Sequence, residues 1–381
     1  MTLTTAVRQI SPGTSILDLQ GEISASSEGA LMEAHRQVSA AGARAILLNF
    51  GAVSHMNGAG LGRLVTLRAR TSRQGQRLLA FGLTDHHRQI FALTCLDKAC
   101  ELYPGETEAV AAASTPDVQR LPTPKTLEVR SAPLEGMAAP AGWAAPVARL
   151  EVTGVPAGVV NLNVQGRQLY GPIRGFGPLW QKTFEVRLTG AATAPRDVIR
   201  VWKDNFGGFW PKGNRFYGRP SGIAPGDVAL LHLAGPGGLN PPGGLPLIST
   251  GLMVIYADDD SFSFMASEGH TIAGMITFSA YDEGGTVVRI EALFRPGDPL
   301  FELMFRVGIG GKMEDSFWRQ ILRNLARHFG AASEPQLSVV CIDPRLQWAE
   351  ARNIRHNAAI HTALYILGTP IRWVGGLFRK G

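Results

Sequence analysis

Three places in the chain carry residues whose types and spacing could do chemistry. The first is Met56-Asn57-Gly58-Ala59-Gly60-Leu61-Gly62, a glycine-rich turn with one side-chain amide and no nucleophile. Its G-x-G-x-G spacing lacks both the G-x-G-x-x-G order of a dinucleotide site and the Lys-Ser/Thr of a phosphate-binding loop, so a nucleotide is not its expected ligand. The second is the set His270, Arg289 and Glu291, an acid/base group if one cavity collects them. Arg289 and Glu291 alternate with Val288, Ile290 and Ala292, so they share one strand face. If the apolar face looks inward, the charged pair points to solvent and does no chemistry. The third is the histidines and cysteines. His86-His87, His356 and His361 lack metal spacing, and Cys95, Cys100 and Cys341 form no C-x-x-C pair. No metal, no cofactor and no disulfide framework is expected. There is no G-x-S-x-G nucleophile elbow either.

The elements around these residues follow from apolar periodicity. Residues 13–21 read as a strand ending at Gly21. Ala30, Leu31, Ala34 and Val38 recur at helical spacing, and Ala45 to Phe50 is a buried-strand run. A helix over 61–73 has Leu61, Leu64 and Val65 on one face; Leu78 to Phe81 is a further strand; Thr84 or Asp85 caps a helix holding Ile90, Phe91 and Leu93. Such alternation predicts a small open α/β sheet. Residues 113–147 are dense in Pro and Ala and read as a linker. Beyond it the sequence is strand-rich, with a hairpin of Thr271–Tyr281 and Thr286–Phe294 around Asp282-Glu-Gly-Gly285. A long Gly/Pro-rich stretch over 205–246 reads as an irregular insertion. A helix over 315–329, capped by Asp315 or Ser316 and ended by Gly330, carries the stripe Trp318, Ile321, Leu322, Leu325 and Phe329.

Composition narrows the function classes. The chain has 381 residues, 45% hydrophobic and 18% charged, with net charge +6, which suits two globular domains and favours anionic partners. The Arg319, Arg323 and Arg327 row reads as a solvated helix face, and nothing beside it resembles a nucleic-acid motif, so no nucleic acid is expected. The first residues hold no secretory apolar core and no apolar run reaches the ~20 residues that span a bilayer, so the expectation is a cytoplasmic protein.

With the 56–62 turn set between a buried strand and an amphipathic helix, the first third of the chain resembles the STAS domains of anti-sigma factor antagonists. In that family an Asp-Ser-Ser/Thr-Gly-Leu-Gly loop stands at this junction and a kinase-type anti-sigma factor phosphorylates its second hydroxyl residue. Here Gly60-Leu61-Gly62 agrees, but Asn57 replaces the Asp, Gly58 the Ser and Ala59 the phosphoacceptor. Phosphorylation switches a surface by adding roughly −1.5 to −2 charge. A methyl group cannot carry that charge. Ser54 and Thr66 lie nearby but match neither family position. The resemblance implies a bacterial regulatory or adaptor protein with a partner-binding loop of Asn57, Gly58, Ala59, Gly60 and Leu61. Its partner would be an anti-sigma factor kinase or another STAS protein.

The strand-rich part followed by a long helix resembles START-like and polyketide-cyclase-like helix-grip domains, in Gly269-His270, the hairpin, and Phe294-Arg295-Pro296. That resemblance implies an apolar pocket for a small molecule or lipid, lined by Phe278, Ile290, Phe294, Trp318 and Leu322. The organisation expected is therefore an α/β STAS-like domain at 1–112, a linker at 113–147, an α+β helix-grip domain at 148–332 and an amphipathic helical tail at 333–381. The tail's Ile371, Trp373, Leu377 and Phe378, among basic residues, fit either an interfacial membrane helix at the inner membrane face or packing on the second domain. A binding function ranks first. A lipid-handling peripheral membrane protein ranks second, and a polyketide-cyclase-like enzyme third, so no enzyme is expected.

Overall fold

Two kinds of apolar pattern build two sheets. The computed structural model describes residues 2–115, 141–189 and 193–368. The chain divides into two units, Met1–Pro146 and Val147–Gly381.

In the first unit the strands are β1 (Thr4–Ser11), β2 (Thr14–Ile23), β3 (Ala45–Met56), β4 (Arg77–Phe81) and β5 (Glu101–Leu102), in that spatial order. β1 is antiparallel to β2, and the remaining pairs are parallel. The helices are α1 (Glu28–Ala40), α2 (Gly58–Arg73), α3 (Asp85–Leu93) and α4 (Glu106–Ser114). The continuous run Ala45 to Phe50 has a physical reason. Ala45 and Leu47 pack with Ile16, Leu79, Phe81 and the Ala109 of α4, and by alternation Ile46 and Leu48 point to the other face. A strand buried on both faces cannot alternate apolar with polar. One detail departs from the expectations. Gly21 does not end β2; it sits inside it with a φ of 100° at a register shift. Cys95 follows α3 in the left-handed region, with φ 57°.

The second unit holds an antiparallel nine-stranded sheet. Its strands are β6 (Leu169–Tyr170), β7 (Leu179–Arg187), β8 (Arg215–Tyr217), β9 (Val228–Leu233), β10 (Ile248–Ala257), β11 (Ser261–Ser267), β12 (Ile272–Asp282), β13 (Thr286–Pro296) and β14 (Gln336–Asp343). The order is β14-β7-β13-β12-β11-β10-β9-β8, with β6 on β11. The expected hairpin is β12–β13, closed by the pair Asp282 and Thr286. Helices α5 (Pro195–Asp204), α6 (Pro299–Arg306) and α7 (Ile309–His328) bury their apolar sides against one face. Helix α8 (Ala358–Leu367) lies on the other, where the Thr362 hydroxyl accepts from the Ser249 amide at 3.1 Å.

Three expectations are corrected here. The 205–246 stretch is not an irregular insertion: it supplies β8 and β9, and its Phe206, Phe209 and Trp210 enter the core. The 333–381 segment is not wholly a helical tail, because Gln336–Asp343 extends the sheet as an edge strand on β7. Helix α7 is not capped at Asp315 or Ser316; it starts at Ile309 after Gly308, whose φ is 80°. Asp315 is occupied by an ion pair instead, described below. Ile371, Trp373, Leu377 and Phe378 lie outside the described residues.

The interior between sheet and α7 is aromatic. Phe278 stacks on Phe262 at 4.7 Å between ring centres and meets Trp202 at 5.1 Å, Phe206 at 5.2 Å and Trp318 at 5.7 Å. Truncating a ring so enclosed costs about 3–5 kcal/mol. Phe278→Ala is expected to lower the unfolding free energy in urea by that amount, while Leu364→Ala on the exposed side of α8 stays within about 0.5 kcal/mol.

Candidate functional site

The candidate partner-binding turn is built by the end of β3 and the first turn of α2. Asn57 is the N-cap: its Oδ1 accepts from the Gly60 amide at 2.9 Å, and its own amide donates to the Ile23 carbonyl at 3.2 Å. The same carbonyl dictates the glycine. A Cβ on Gly60 would lie 1.9 Å from Ile23 O and 2.4 Å from its carbon. The requirement is close backbone approach, not a left-handed turn. The helix is pressed against the end of β2, and Gly58 to Leu67 are all buried.

This places the five candidate residues together but changes their character. Ala59 is 7% exposed and Asn57 is half-buried, so the turn is not a protruding loop. Thr66 is buried in the middle of α2, beyond the reach of a modifying enzyme, whereas Ser54 is exposed. Arg63, on the buried side of the same helix, pairs with Glu28 of α1 at 2.9 Å. One neighbour was missed entirely. Trp143, far along the chain, donates its indole N–H to Met56 O at 2.9 Å. The only signal in the sequence was a lone tryptophan inside a Pro/Ala-rich stretch.

The five pocket candidates of the second unit are also brought together, as packed core. Phe278, Ile290, Phe294 and Leu322 are fully buried, and Trp318 packs against the same cluster. Four of the five expected lining residues are therefore closed in by protein, and Trp318 is half-buried. Trp202 of α5 and Phe206 just beyond its end occupy the place beside Phe278.

His270, Arg289 and Glu291 are not gathered. Arg289 is opposite Ser279 and Glu291 opposite Thr277, nine and seven residues along β12 from His270. At about 3.4 Å per residue those offsets are roughly 30 and 24 Å. Arg289 faces away from the core, as the alternation implied, and pairs with Glu185 of β7 at 2.5 Å. Burial holds the His270 pKa down to about 4, so the imidazole is neutral at pH 7, and its Nδ1 accepts from the Ile272 amide.

A different titratable cluster faces inward. Lys182 of β7 sits over the Phe294 ring at 5.7 Å and bonds Glu314 at 2.9 Å and Asp315 at 2.6 Å, both on α7. Burial works against the Lys182 charge, but the two carboxylates outweigh it and hold its pKa above the ordinary value. Burial pushes the Glu314 carboxyl up to about 7, against the pull of Lys182. No local pattern announced this. Lys182 occupies an inward position between Trp180 and Phe184, where periodicity predicts an apolar residue. Among the described residues no group of His, Cys, Asp and Glu could hold a metal ion. No described helix is long and apolar enough to cross a membrane.

Comparison with known proteins agrees with the first unit's architecture. The STAS domain family model matches residues 5–109. Among solved structures, the chain is similar to an anti-sigma factor antagonist from Mycobacterium paratuberculosis, at 26% identity over 30% of this chain and 96% of that one, TM-score 0.27. It is also similar to the anti-sigma factor antagonist SpoIIAA in its unphosphorylated form, at 16% identity over 29% of this chain and 96% of that one, TM-score 0.23. The second unit is similar to the di-domain ARO/CYC StfQ from the steffimycin biosynthetic pathway, at 12% identity over 40% of this chain and half of that one, TM-score 0.30. No curated protein matches the chain.

Two outcomes follow from this geometry. Gly60→Ala forces α2 away from Ile23, and overpacking of this kind costs about 1–3 kcal/mol or more; chemical denaturation should show the loss. For Glu314 the folded-state pKa of about 7 lies above its ordinary 4.5, so the folded protein binds the proton more tightly. Its contribution to stability is full below pH 4.5 and is lost as pH rises through 7. Glu314→Gln should flatten the decline in melting temperature across that window, with Lys182 and Asp315 left in place.

Proposed function

We propose that the chain is a regulatory adaptor. Its STAS domain binds a protein partner, of the anti-sigma factor kinase or STAS type, without a phosphoserine switch. The observation that carries the reading is the STAS match over 5–109 with Ala59 in the place of the family's phosphoacceptor. Burial adds to it. Even a hydroxyl at position 59 would be nearly covered in the first turn of α2, where Ala59 is 7% exposed.

In such a protein the interaction is constitutive with respect to ATP and is set by surface shape and charge. The second domain, in this reading, is an appended packed module. An apolar ligand that reached Phe278 would have to displace Trp202 and Phe206 from their contacts with it. The enzyme reading ranks below this one because His270 stands far along the sheet from the Arg289 and Glu291 pair.

The test uses the full chain and the kinase-type anti-sigma factors of the same genome. Affinity measured with and without ATP should agree within about tenfold, equivalent to about 1.4 kcal/mol. Mass spectrometry should find residues 54–66 unmodified. Stoichiometric phosphate anywhere in 54–66 overturns the switchless reading, and absence of binding to every such kinase overturns the partner reading.

A further inference from the structure

The segment that carries Trp143 lies past the end of the STAS match at residue 109, near the end of the Pro/Ala-rich stretch, yet it belongs to the first unit. Its bonding is specific. Met56 is the last residue of β3 and pairs in register with Ile23, the residue against which Gly60 is pressed. The carbonyl that receives the Trp143 indole N–H is therefore the one immediately before the Asn57 cap. Trp143 is 2% exposed and Ala144 is also buried. Gly142 holds a φ of 78°, a backbone state that glycine reaches without strain, and delivers Trp143 from it. A large ring enclosed by protein, with its one donor satisfied and small residues on both sides, is how an anchored peptide binds.

We infer that Gly142-Trp143-Ala144 is an internal ligand of the STAS domain, seated beside the turn that would receive a protein partner. The seat is a peptide-binding site that selects an aromatic anchor flanked by small residues. The kind of partner it fits is an extended protein segment with one indole or similar ring among Gly and Ala. Such a segment competes with Trp143 for the Met56 carbonyl and the surrounding enclosure. The competition rests on the proposed partner-binding reading; the internal ligand itself does not. Because Ala59 offers no phosphate, occupancy of this seat replaces phosphorylation as the means of closing the surface.

The test uses full-length wild-type, Trp143→Ala and Trp143→Phe chains and a fluorescent peptide copying residues 138–148, Ala-Ala-Pro-Ala-Gly-Trp-Ala-Ala-Pro-Val-Ala. Anisotropy should show the peptide binding the Trp143→Ala chain at least about tenfold more tightly than wild type, whose seat is filled. The same peptide with alanine in place of tryptophan should bind neither. Hydrogen exchange at amides 54–62 should be fastest in Trp143→Ala, intermediate in Trp143→Phe and slowest in wild type. Equal peptide affinity for wild type and Trp143→Ala overturns the inference. Should Trp143→Ala fail to fold, the Phe chain decides, and exchange at 54–62 identical to wild type overturns it. A chain that binds the peptide but no anti-sigma factor kinase keeps the internal ligand and loses the partner reading.

Discussion

The carbonyl of Ile23 governs the first unit. It accepts the Asn57 amide and leaves no room for a methyl group on Gly60. One backbone contact thereby sets the angle at which α2 leaves the sheet, the depth at which Ala59 lies and the position of Met56 O. Backbone packed against backbone is stiff, because neither side has a rotamer to change. The glycine-rich turn owes its composition to this approach, and the absence of a nucleophile there costs the packing nothing.

The second unit answers a different problem. A helix laid over an antiparallel sheet leaves a space between them, and that space must be filled or hydrated. Around Phe278 it is filled: Trp202 and Phe206 close the gap, edge-to-face ring contacts link them to Phe262, and Phe278 in turn meets Trp318. Rings in such arrangements contribute beyond their buried area. Where the apolar packing gives way, at Lys182, the chain supplies Glu314 and Asp315 from α7 rather than leaving the charge alone. An unpaired ammonium at that depth would be far more costly. The pair ties β7 to α7 in one register, and burial, against the pull of Lys182, makes Glu314 sensitive to pH near neutrality.

Each unit thus sets a charged or polar device in an apolar frame. In the first it is the Asn57 cap with Trp143 against Met56 O; in the second it is the Lys182 cluster. Neither brings together a nucleophile, a base and an oxyanion donor, and the residues that looked most catalytic serve other ends. Arg289 holds Glu185 and Tyr281 on the outer face, and His270 accepts a backbone amide at the start of β12.

What the sequence by itself determined is what depends on neighbours a few residues away. The doubly buried run at 45–50, the Thr84 cap and the β12–β13 hairpin all follow from local spacing, and each stands in the structure; the Gly60-Leu61-Gly62 segment, expected as a turn before a helix at 61, is instead already helical, because α2 starts at Gly58. That an alanine without a hydroxyl stands at position 59 was legible in the same way, because it is a matter of residue identity. Only the tertiary structure decided the rest. Trp143 meets Met56 across 87 residues, Lys182 meets Glu314 across 132, and β14 pairs with β7 after most of the second unit has intervened. The filling of the grip by Trp202 and Phe206 is of this kind too. Such contacts leave no periodic trace, since the partner's position is set by how whole elements stack. The α7 start was misplaced for a related reason. Asp315 has the side chain of a helix cap, but its carboxylate is claimed by a lysine on a strand that no local pattern connects to it.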